Sequence, residues 1–146
     1  MNIAVRRARP GDALAVRRLL KELGYATESR ATDETVSHVL KHPEAAVFVA
    51  AAGVDVVGYV AMSVRPQMRL AGLSASIDEL VVAPSRRSGG VGTQLLDAAI
   101  AHAKNLQCRR IEVLQSRARE SYLRGFYAKR SFVEVDSAVL RVDLGT

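Results

Sequence analysis

The chain has 146 residues, of which 49% are hydrophobic and 25% charged, and its formal net charge is +6. This length is sufficient for a buried core, and the composition is that of an ordinary globular protein. No apolar run approaches the roughly 20 residues of a membrane-spanning helix, and the arginine-rich N-terminus lacks the apolar stretch of a signal peptide. We therefore expect a single domain over residues 1–146, located in the cytoplasm and without a membrane partner.

The cysteine, histidine and aromatic content narrows the chemistry further. Cys108 is the only cysteine, so no disulfide can form within the chain, which suits a reducing cytoplasm. The histidines at His38, His42 and His102 are scattered and do not have the spacing of metal ligands, so no metal is expected. The positive charge suits an anionic ligand, but three Phe, four Tyr and no Trp offer few surfaces for stacking bases, which argues against nucleic acid.

Hydrophobic periodicity and turn residues predict the secondary structure in chain order. The predicted elements are a strand at Ile3–Ala8, a helix capped by Asp12 and closed by Gly24, a helix from Thr32 to His42, strands at Ala46–Ala51, Val56–Val64 and Ser76–Val82, a helix after Gly90, a strand at Arg109–Gln115, a short helix at Ser121–Lys129, and strands at Phe132–Val135 and Ala138–Leu144. Arg65–Ser76 is predicted to be a loop. The order β-α-α-β-β-β-α-β-α-β-β indicates a mixed α/β (α+β) domain. Its central, mostly antiparallel sheet would have about 6–7 strands and about four flanking helices.

The most informative stretch runs from Ile77 to Leu96. Strand formers lead through Pro84 into a short Arg/Ser/Gly segment, and a helix with an apolar stripe follows. The first turn of a helix has backbone N–H groups without partners and a positive potential, and glycines let an anion approach that backbone. The stretch therefore predicts a phosphate-binding loop.

The spacing of the glycines excludes two common phosphate loops. The P-loop requires a lysine after its last glycine, and no lysine follows Gly90 or Gly92. The dinucleotide fingerprint requires a third glycine where Leu95 stands. The remaining pattern, Arg87-Ser88-Gly89-Gly90-Val91-Gly92, matches [RQ]-x-x-G-x-[GA]. It resembles the acyl-coenzyme-A loop of the GNAT acyltransferases, which follows the same order of strand, loop and helix; an ordinary glycine-rich turn is the alternative.

The resemblance to the GNAT superfamily extends over essentially the whole chain. The segment Phe126–Phe132 looks like the family signature F-Y-x-x-x-G-F, and the Arg-Pro-Gly-Asp turn near the start is also similar. Two positions depart from the family pattern. Ser131 stands where the family usually has glycine, and Glu120 stands where many members have an asparagine that contacts the cofactor. The asparagine contact is therefore not carried over to this chain.

This resemblance implies an N-acetyltransferase, in which an amine attacks the thioester of acetyl-coenzyme A (acetyl-CoA) directly. Tyr127 matches the tyrosine of the family signature and is the candidate general acid, although it could instead be an aromatic anchor for the short helix. Glu79 is the candidate base, acting directly or through a water. Strand alternation places Asp78 on the opposite face, and Asp78 remains an alternative base.

Acetyl-CoA is expected to lie along the last predicted strand before the loop. Its pantetheine arm would pair like an added strand with the backbone of Leu80, Val81 and Val82. The main chain of Arg87, Ser88, Gly89, Gly90, Val91, Gly92 and Thr93 would hold the pyrophosphate, with Arg86 and Arg87 adding charge at the rim.

The acceptor is left open between a small amine and a protein amino group. Its site should be lined by Gly24–Asp33, by the Arg65–Ser76 segment and by the C-terminal strands, which are the variable parts of this fold. A second class of function is a non-catalytic module that senses acyl-CoA or binds a protein partner. Its only support is that Glu120 and Ser131 depart from the family pattern. The terminal strands could also pair with those of a second copy, which leaves a homodimer open.

Overall fold

The computed structural model describes residues 2–21 and 33–145. The chain divides into two compact units, Met1–Leu114 and Gln115–Thr146. The first unit contains a five-stranded sheet with helices, and the second contains a short helix and turns. Within the described ranges, no helix is both long enough and apolar enough to cross a membrane.

Five strands and four α-helices follow one another along the described chain. They are β1 (Ile3–Arg7), α1 (Ala13–Leu20), α2 (Asp33–Lys41), β2 (Ala45–Ala52), β3 (Asp55–Gln67), β4 (Gly72–Val82), α3 (Val91–Asn105), β5 (Arg110–Val113) and α4 (Glu120–Leu123). The strands lie in the order β1-β2-β3-β4-β5. Every neighbouring pair is antiparallel except β4 and β5, which are parallel. The mixed α/β fold with one mostly antiparallel sheet is thus confirmed.

The loop predicted at Arg65–Ser76 is wrong over most of its length. β3 continues to Gln67, a single turn of 3-10 helix follows at Met68–Leu70, and β4 begins at Gly72. The two strands remain paired to the tip of this hairpin. The side chains at its tip, residues 65–71, are all exposed or half-buried, as is typical of a loop. The strands of the hairpin are held together by backbone hydrogen bonds, which side-chain polarity does not reveal.

The predicted 6–7 strands and the β-β ending of the predicted order are not confirmed. The described residues 131–145 contain no strand, and the apolar side chains of this stretch, such as Leu140 and Leu144, are exposed. Alternation of apolar and polar residues records only that one face can be buried, whereas a strand also requires a neighbouring backbone to bond with. The short helix predicted at Ser121–Lys129 is α4 followed by turns and a 3-10 turn at Ala128–Arg130.

Helices α1 and α2 cover one face of the sheet. Their apolar residues form a buried cluster with strand residues, comprising Ala13, Val16, Leu19, Val36, Val47, Val49, Tyr59, Ala61 and Val81. Contrary to the prediction, the side chain of Asp12 does not cap α1. It instead accepts the backbone N–H of Arg9 at 2.7 Å and the guanidinium of Arg6 at 2.8 and 3.0 Å, and the bond from Arg6 lowers the pKa of Asp12. The ends predicted at Gly24 and Thr32 lie outside the described residues.

Helix α3 covers the opposite face and is fixed closely against the strands. A Cβ added at Gly58 would lie 3.1 Å from Leu95 Cδ1 and 3.0 Å from the carbonyl oxygen of Val81. The next residue, Tyr59, belongs to the cluster beneath α1 and α2, so α3 must lie on the other face. The predicted apolar stripe is the buried side of α3, with Val91, Leu95, Leu96, Ala99 and Ala103. Packing at Gly58 therefore fixes the beginning of α3 beside the end of β4.

Candidate active site

β4 is longer than its neighbour β5 and continues beyond the point where the two strands pair. The parallel ladder joins Ser74–Ile77 of β4 to Arg110–Val113 of β5 and extends no further in the described register. β4 nevertheless continues to Val82, where it pairs with β3. Beyond the ladder, the edge of β4 that faces β5 presents backbone N–H and C=O groups that β5 does not use. Leu80, Val81 and Val82, which were predicted to bind the pantetheine arm, all lie in this part of β4.

A β-bulge interrupts β4 at the candidate base. Ala61 pairs with Glu79 and Met62 pairs with Ile77, so Asp78 is an extra residue in the ladder. A bulge bends its strand and re-aims side chains, and bulges are frequent next to active sites. The sequence gives no signal for it, because this part of β4 contains neither glycine nor proline.

The two candidate carboxylates have different surroundings. Glu79 is half-buried and accepts a hydrogen bond from the hydroxyl of Tyr59 at 3.0 Å, and Tyr59 itself is only 1% exposed. Glu79 also lies opposite Ala61, a member of the cluster beneath α1 and α2. Asp78 is exposed and accepts the hydroxyl of Ser63 at 2.9 Å. Glu79 is thus the carboxylate with a rigid partner, and Tyr59 is a residue of the candidate site that sequence reasoning missed.

The glycine loop, which we define as Arg87–Gly92, leads from the end of β4 into the first turn of α3. A 3-10 turn at Pro84–Arg86 is followed by left-handed backbone at Ser88 (φ 68°) and Gly90 (φ 84°), and Gly90 is the N-cap of α3. The N–H of Gln94 bonds to the Gly90 carbonyl at 3.1 Å, and no side chain of the described residues caps the helix. The first-turn N–H groups of Val91, Gly92 and Thr93 therefore form an uncapped helix N-terminus at the end of β4.

The arginine of the loop is tied to β4. The Nε of Arg87 donates to the carbonyl oxygen of Val82 at 3.3 Å. A Cβ added at Gly89 would lie 3.4 Å from the carbonyl oxygen of Arg86, at the lower limit of ordinary van der Waals contact. This bond uses one of the five N–H donors of the guanidinium of Arg87, so the loop offers an anion its main-chain N–H groups together with the charge of Arg87. This arrangement fits the prediction that backbone holds the pyrophosphate, which stays a prediction.

Tyr127 belongs to the second compact unit. Its ring lies edge-on to Phe126 and Phe132, with centroids 4.9 and 5.6 Å away. Burial raises the pKa of Tyr127 to about 12, so the phenol is protonated at neutral pH. Ser131 adopts a left-handed backbone (φ 69°) after the 3-10 turn. This is the conformation that glycine, the usual residue of the family here, adopts at least cost.

In the part of the chain that the structure describes, no three His, Cys, Asp or Glu residues are grouped to hold a metal ion. The predicted acceptor segment Gly24–Asp33 lies outside the described residues except for Asp33. In the first unit, Glu79, the part of β4 that does not pair with β5, and the glycine loop follow one another along the chain.

The comparisons with known proteins agree with this geometry. The sequence profile of the Acetyltransferase (GNAT) family matches residues 13–132, whereas no curated protein matches the chain in sequence. Similar solved structures include a ribosomal-protein-alanine N-acetyltransferase from Brucella melitensis biovar Abortus 2308 (19% identity, 99% of this chain and 100% of that chain, TM-score 0.81), an aminoglycoside acetyltransferase from an uncultured soil metagenomic sample (20%, 98% and 97%, TM-score 0.84) and a transcriptional regulator from Bacillus halodurans C-125 (23%, 98% and 100%, TM-score 0.83). At these identities the structures show a common fold. Because the family profile spans most of the sequence, the chain belongs to the GNAT family of acetyltransferases.

Proposed function

We propose that this protein transfers an acetyl group from acetyl-CoA to an amine, using Glu79 as the base and the β4–α3 junction as the donor site. The register of β4 carries the proposal. The strand has an edge that β5 leaves free beyond Ile77, and this edge leads directly to the glycine loop and an uncapped helix N-terminus. A strand edge suits the amides of a pantetheine arm, and a helix N-terminus suits a pyrophosphate.

The backbone groups divide between the two parts of the donor. Leu80 and Val81 would pair with the pantetheine arm. Val82 would contribute less, because its carbonyl oxygen already accepts a bond from Arg87. The N–H groups of Val91, Gly92 and Thr93 would bind the pyrophosphate, with the left-handed turn at Gly90 leaving room for it. Arg86 would act only through its charge at the rim.

Glu79 would prepare the amine for attack. A lysine-like amine has a pKa of ~10.4, so its deprotonation at pH 7 costs roughly 4.6 kcal/mol. The carboxylate of Glu79 would accept this proton directly or through a water. The nitrogen lone pair then forms the new bond to the acetyl carbon, the electron pair of the broken C–S bond leaves with the sulfur, and the second N–H proton of the attacking nitrogen passes to solvent. Tyr59 would hold the carboxylate in one orientation by donating a hydrogen bond to it.

Tyr127 would assist the leaving sulfur by hydrogen bonding. The pKa of Tyr127 is raised to about 12 by burial, whereas a thiol has a pKa of ~8.5. Full proton transfer from this phenol would be uphill by roughly 3.5 pKa units, about 5 kcal/mol. We therefore assign Tyr127 the role of a hydrogen-bond donor to the thiolate, which takes its proton from solvent after release. This is narrower than the general-acid role expected from the sequence.

The acceptor would approach from the side of the sheet that α1 and α2 cover. Glu79 lies opposite Ala61 of the cluster on that side, and the predicted acceptor segment connects the same two helices. The exposed Arg65 and Arg69 of the β3–β4 hairpin disfavour a polycationic acceptor, whereas the acidic first turn of α2 favours one, so the charge of the acceptor stays open. Small-molecule amines and protein amino groups are both acceptors for the test below. We further expect a cytoplasmic protein that forms a homodimer.

A thiol-release assay with acetyl-CoA and a panel of amines tests the proposal. The panel should contain small amines, amino-acid derivatives, and peptides with a free N-terminus or a lysine. We expect turnover with one of these classes, and a Glu79→Gln variant with kcat lowered roughly 100- to 10,000-fold. Calorimetry should show unchanged affinity of that variant for acetyl-CoA.

Asp78→Asn provides the matched control, because it removes the neighbouring carboxylate outside the proposed chemistry. It should retain nearly wild-type kcat, whereas a large loss there and none at Glu79 would exchange the two roles. Saturable binding of acetyl-CoA without turnover on any amine would instead support the non-catalytic module.

A further inference from the structure

The face of the sheet that carries Glu79 continues along β3 towards the β3–β4 hairpin. Tyr59 and Ala61 of β3 belong to the cluster beneath α1 and α2, and alternate residues of a strand share a face. Ser63 and Arg65 follow at the same two-residue spacing, so they lie on this face as well. Ser63 is half-buried and Arg65 is exposed. The side of the sheet from which the acceptor would approach therefore has a polar continuation.

A row of polar residues crosses three strands on this continuation. Arg65 of β3 is paired with Ser74 of β4, and Ser74 is paired in turn with Arg110 of β5. Directly paired residues of neighbouring strands have their side chains on the same face. We call these three residues the arginine row. Both arginines are exposed, so a ligand can reach them from solvent.

Ser74 provides an observation that is independent of the two charges. It is only 5% exposed, and its hydroxyl forms no hydrogen bond with another described residue. A buried polar group without a partner costs free energy, and such groups are rare in native structures. An anion held between the two arginines would accept the hydroxyl proton of Ser74 in a hydrogen bond.

Arg109 adds a third positive charge beside the arginine row. Its side chain lies against Gly72, which is two residues before Ser74 on β4 and hence on the same face. A Cβ added at Gly72 would lie 3.0 Å from both Cγ and Nε of Arg109. The glycine thus leaves the space in which the arginine lies against the strand.

The next row towards Glu79 is acidic. Ser63 donates to Asp78 at 2.9 Å, and Glu112 lies opposite Ser76. The ion pair between Arg110 and Glu112 is long, at 4.0 Å, and exposed, so it contributes little and leaves most donors of the guanidinium unused. These carboxylates would keep an anionic group out of their own row. An anion on this face would therefore lie at the arginine row.

We propose that the arginine row binds a carboxylate or phosphate at the far end of the acetyl acceptor, which is thus an amine that also carries an anionic group. This assignment rests on the proposed acetyl transfer and names the class of its acceptor. Arg65 is four residues beyond Ala61, which is opposite Glu79. At roughly 3.3 Å per residue, the base and the arginine row are about 13 Å apart along the strand. Arginine binds either anion through paired N–H donors.

Steady-state kinetics with matched acceptors tests this assignment. The acceptors are ω-amino carboxylates of increasing length, ω-aminoalkyl phosphates, and neutral ω-amino amides of the same lengths. The wild type should prefer the anionic members roughly 10- to 100-fold in kcat/KM. The carboxylate and phosphate series identify which anion is bound. Peptides with a free N-terminus near an acidic side chain show whether a protein is the source of the same chemistry.

Arg65→Gln and Arg110→Gln should each lower kcat/KM for anionic acceptors roughly 5- to 20-fold. The loss should be in KM rather than in kcat, because neither arginine would touch the reacting atoms. The neutral amides should be unaffected. Arg69→Gln removes an equal charge from the same hairpin outside the arginine row and should keep the wild-type preference. All three positions are exposed, so the circular dichroism spectrum should be unchanged.

Turnover and binding are measured separately, because they distinguish this assignment from acetyl transfer itself. Wild-type turnover that is equal for anionic and neutral acceptors, or variants that keep the preference, would overturn the arginine row and leave acetyl transfer intact. Calorimetry with coenzyme A present requires no turnover. Anionic amines that bind the wild type more tightly than Arg65→Gln and Arg110→Gln, without turnover of any amine, would overturn acetyl transfer and retain the anion site. Absence of both binding and turnover would overturn both.

Discussion

The two compact units of this chain would contribute different chemical groups to function, main-chain groups in the first unit and side chains in the second. In Met1–Leu114, strand and helix side chains are packed to complete burial, as at Val49, Val60 and Leu95. In the described part of Gln115–Thr146, no residue is fully buried, and even the ring of Tyr127 retains some exposure. The candidate donor site of the first unit therefore consists of main chain fixed by a core. The second unit offers side chains, such as Tyr127, whose function would depend on the groups they bind.

This contrast indicates which kinds of substitution will matter in each unit. A backbone site is sensitive to any side chain that fills the space of its ligand and is tolerant of changes to charges at the rim. A site made of side chains is sensitive to the loss of single functional groups. Three substitutions, two of them compared with a second variant, test this division, beginning with the largest expected effect.

Gly92→Glu should abolish acetyl-CoA binding, with at least a 100-fold loss of affinity. The new carboxylate would occupy the uncapped first turn of α3 and repel the pyrophosphate from the N–H groups there. An acidic residue is favourable in the first turn of a helix, so the fold should persist, which a thermal unfolding curve checks. Arg86→Ala should weaken binding only a few-fold, because Arg86 would contribute only charge. Titration calorimetry that gives the reverse order defeats the backbone site.

Sequence reasoning succeeded where burial and periodicity coincide. β2 begins and ends within one residue of its predicted limits, and α3 begins directly after Gly90 as predicted, because their apolar patterns correspond to faces that are buried. It failed at the β3–β4 hairpin, where backbone pairing holds residues that are exposed. It also failed at residues 132–144, where the alternation is present but no strand lies beside it.

The same distinction applies to the candidate site. The glycine loop and Glu79 could be predicted, because motif residues and strand alternation locate them. The bulge at Asp78 and the bond from Tyr59 to Glu79 could not, because both depend on the register between β3 and β4. A one-residue change of that register would move Tyr59 away from Glu79, and no local pattern fixes the register.

Tyr127→Phe should lower kcat roughly 10- to 100-fold and leave acetyl-CoA affinity nearly unchanged. This is less than the loss expected for a full general acid, because the phenol would donate only a hydrogen bond. The phenylalanine ring preserves the edge contacts with Phe126 and Phe132, so the local fold should persist. Steady-state kinetics with the best amine measures the effect, and an unchanged kcat would remove Tyr127 from the mechanism and leave it an aromatic anchor.

The raised pKa of Tyr127 provides a second check on this substitution. The pKa rises from about 10 in the unfolded chain to about 12 in the folded one, so the stability it contributes is complete below pH 10. That stability is lost as the pH rises towards 12, with about 1.4 kcal/mol lost by pH 11. Between pH 9 and pH 11, urea unfolding should show a loss of stability about 1.4 kcal/mol larger in the wild type than in Tyr127→Phe.

Tyr59→Phe should have the smallest effect on rate, a fall of about three- to tenfold in kcat. The Tyr59 hydroxyl donates to Glu79 and would hold the carboxylate in the orientation that accepts the proton. Without that donor the carboxylate is less well oriented, so kcat should fall while the KM for acetyl-CoA stays constant.

Tyr122→Phe is the matched control for this measurement. It also removes a tyrosine hydroxyl that donates to a glutamate, since Tyr122 bonds to Glu134 at 2.9 Å, but it does so in the second unit. Its kcat should equal that of the wild type. If Tyr59→Phe loses stability but keeps the wild-type kcat, Tyr59 serves core packing alone. A lower kcat in Tyr59→Phe with an unchanged KM for acetyl-CoA, absent from Tyr122→Phe, assigns Tyr59 the positioning of Glu79.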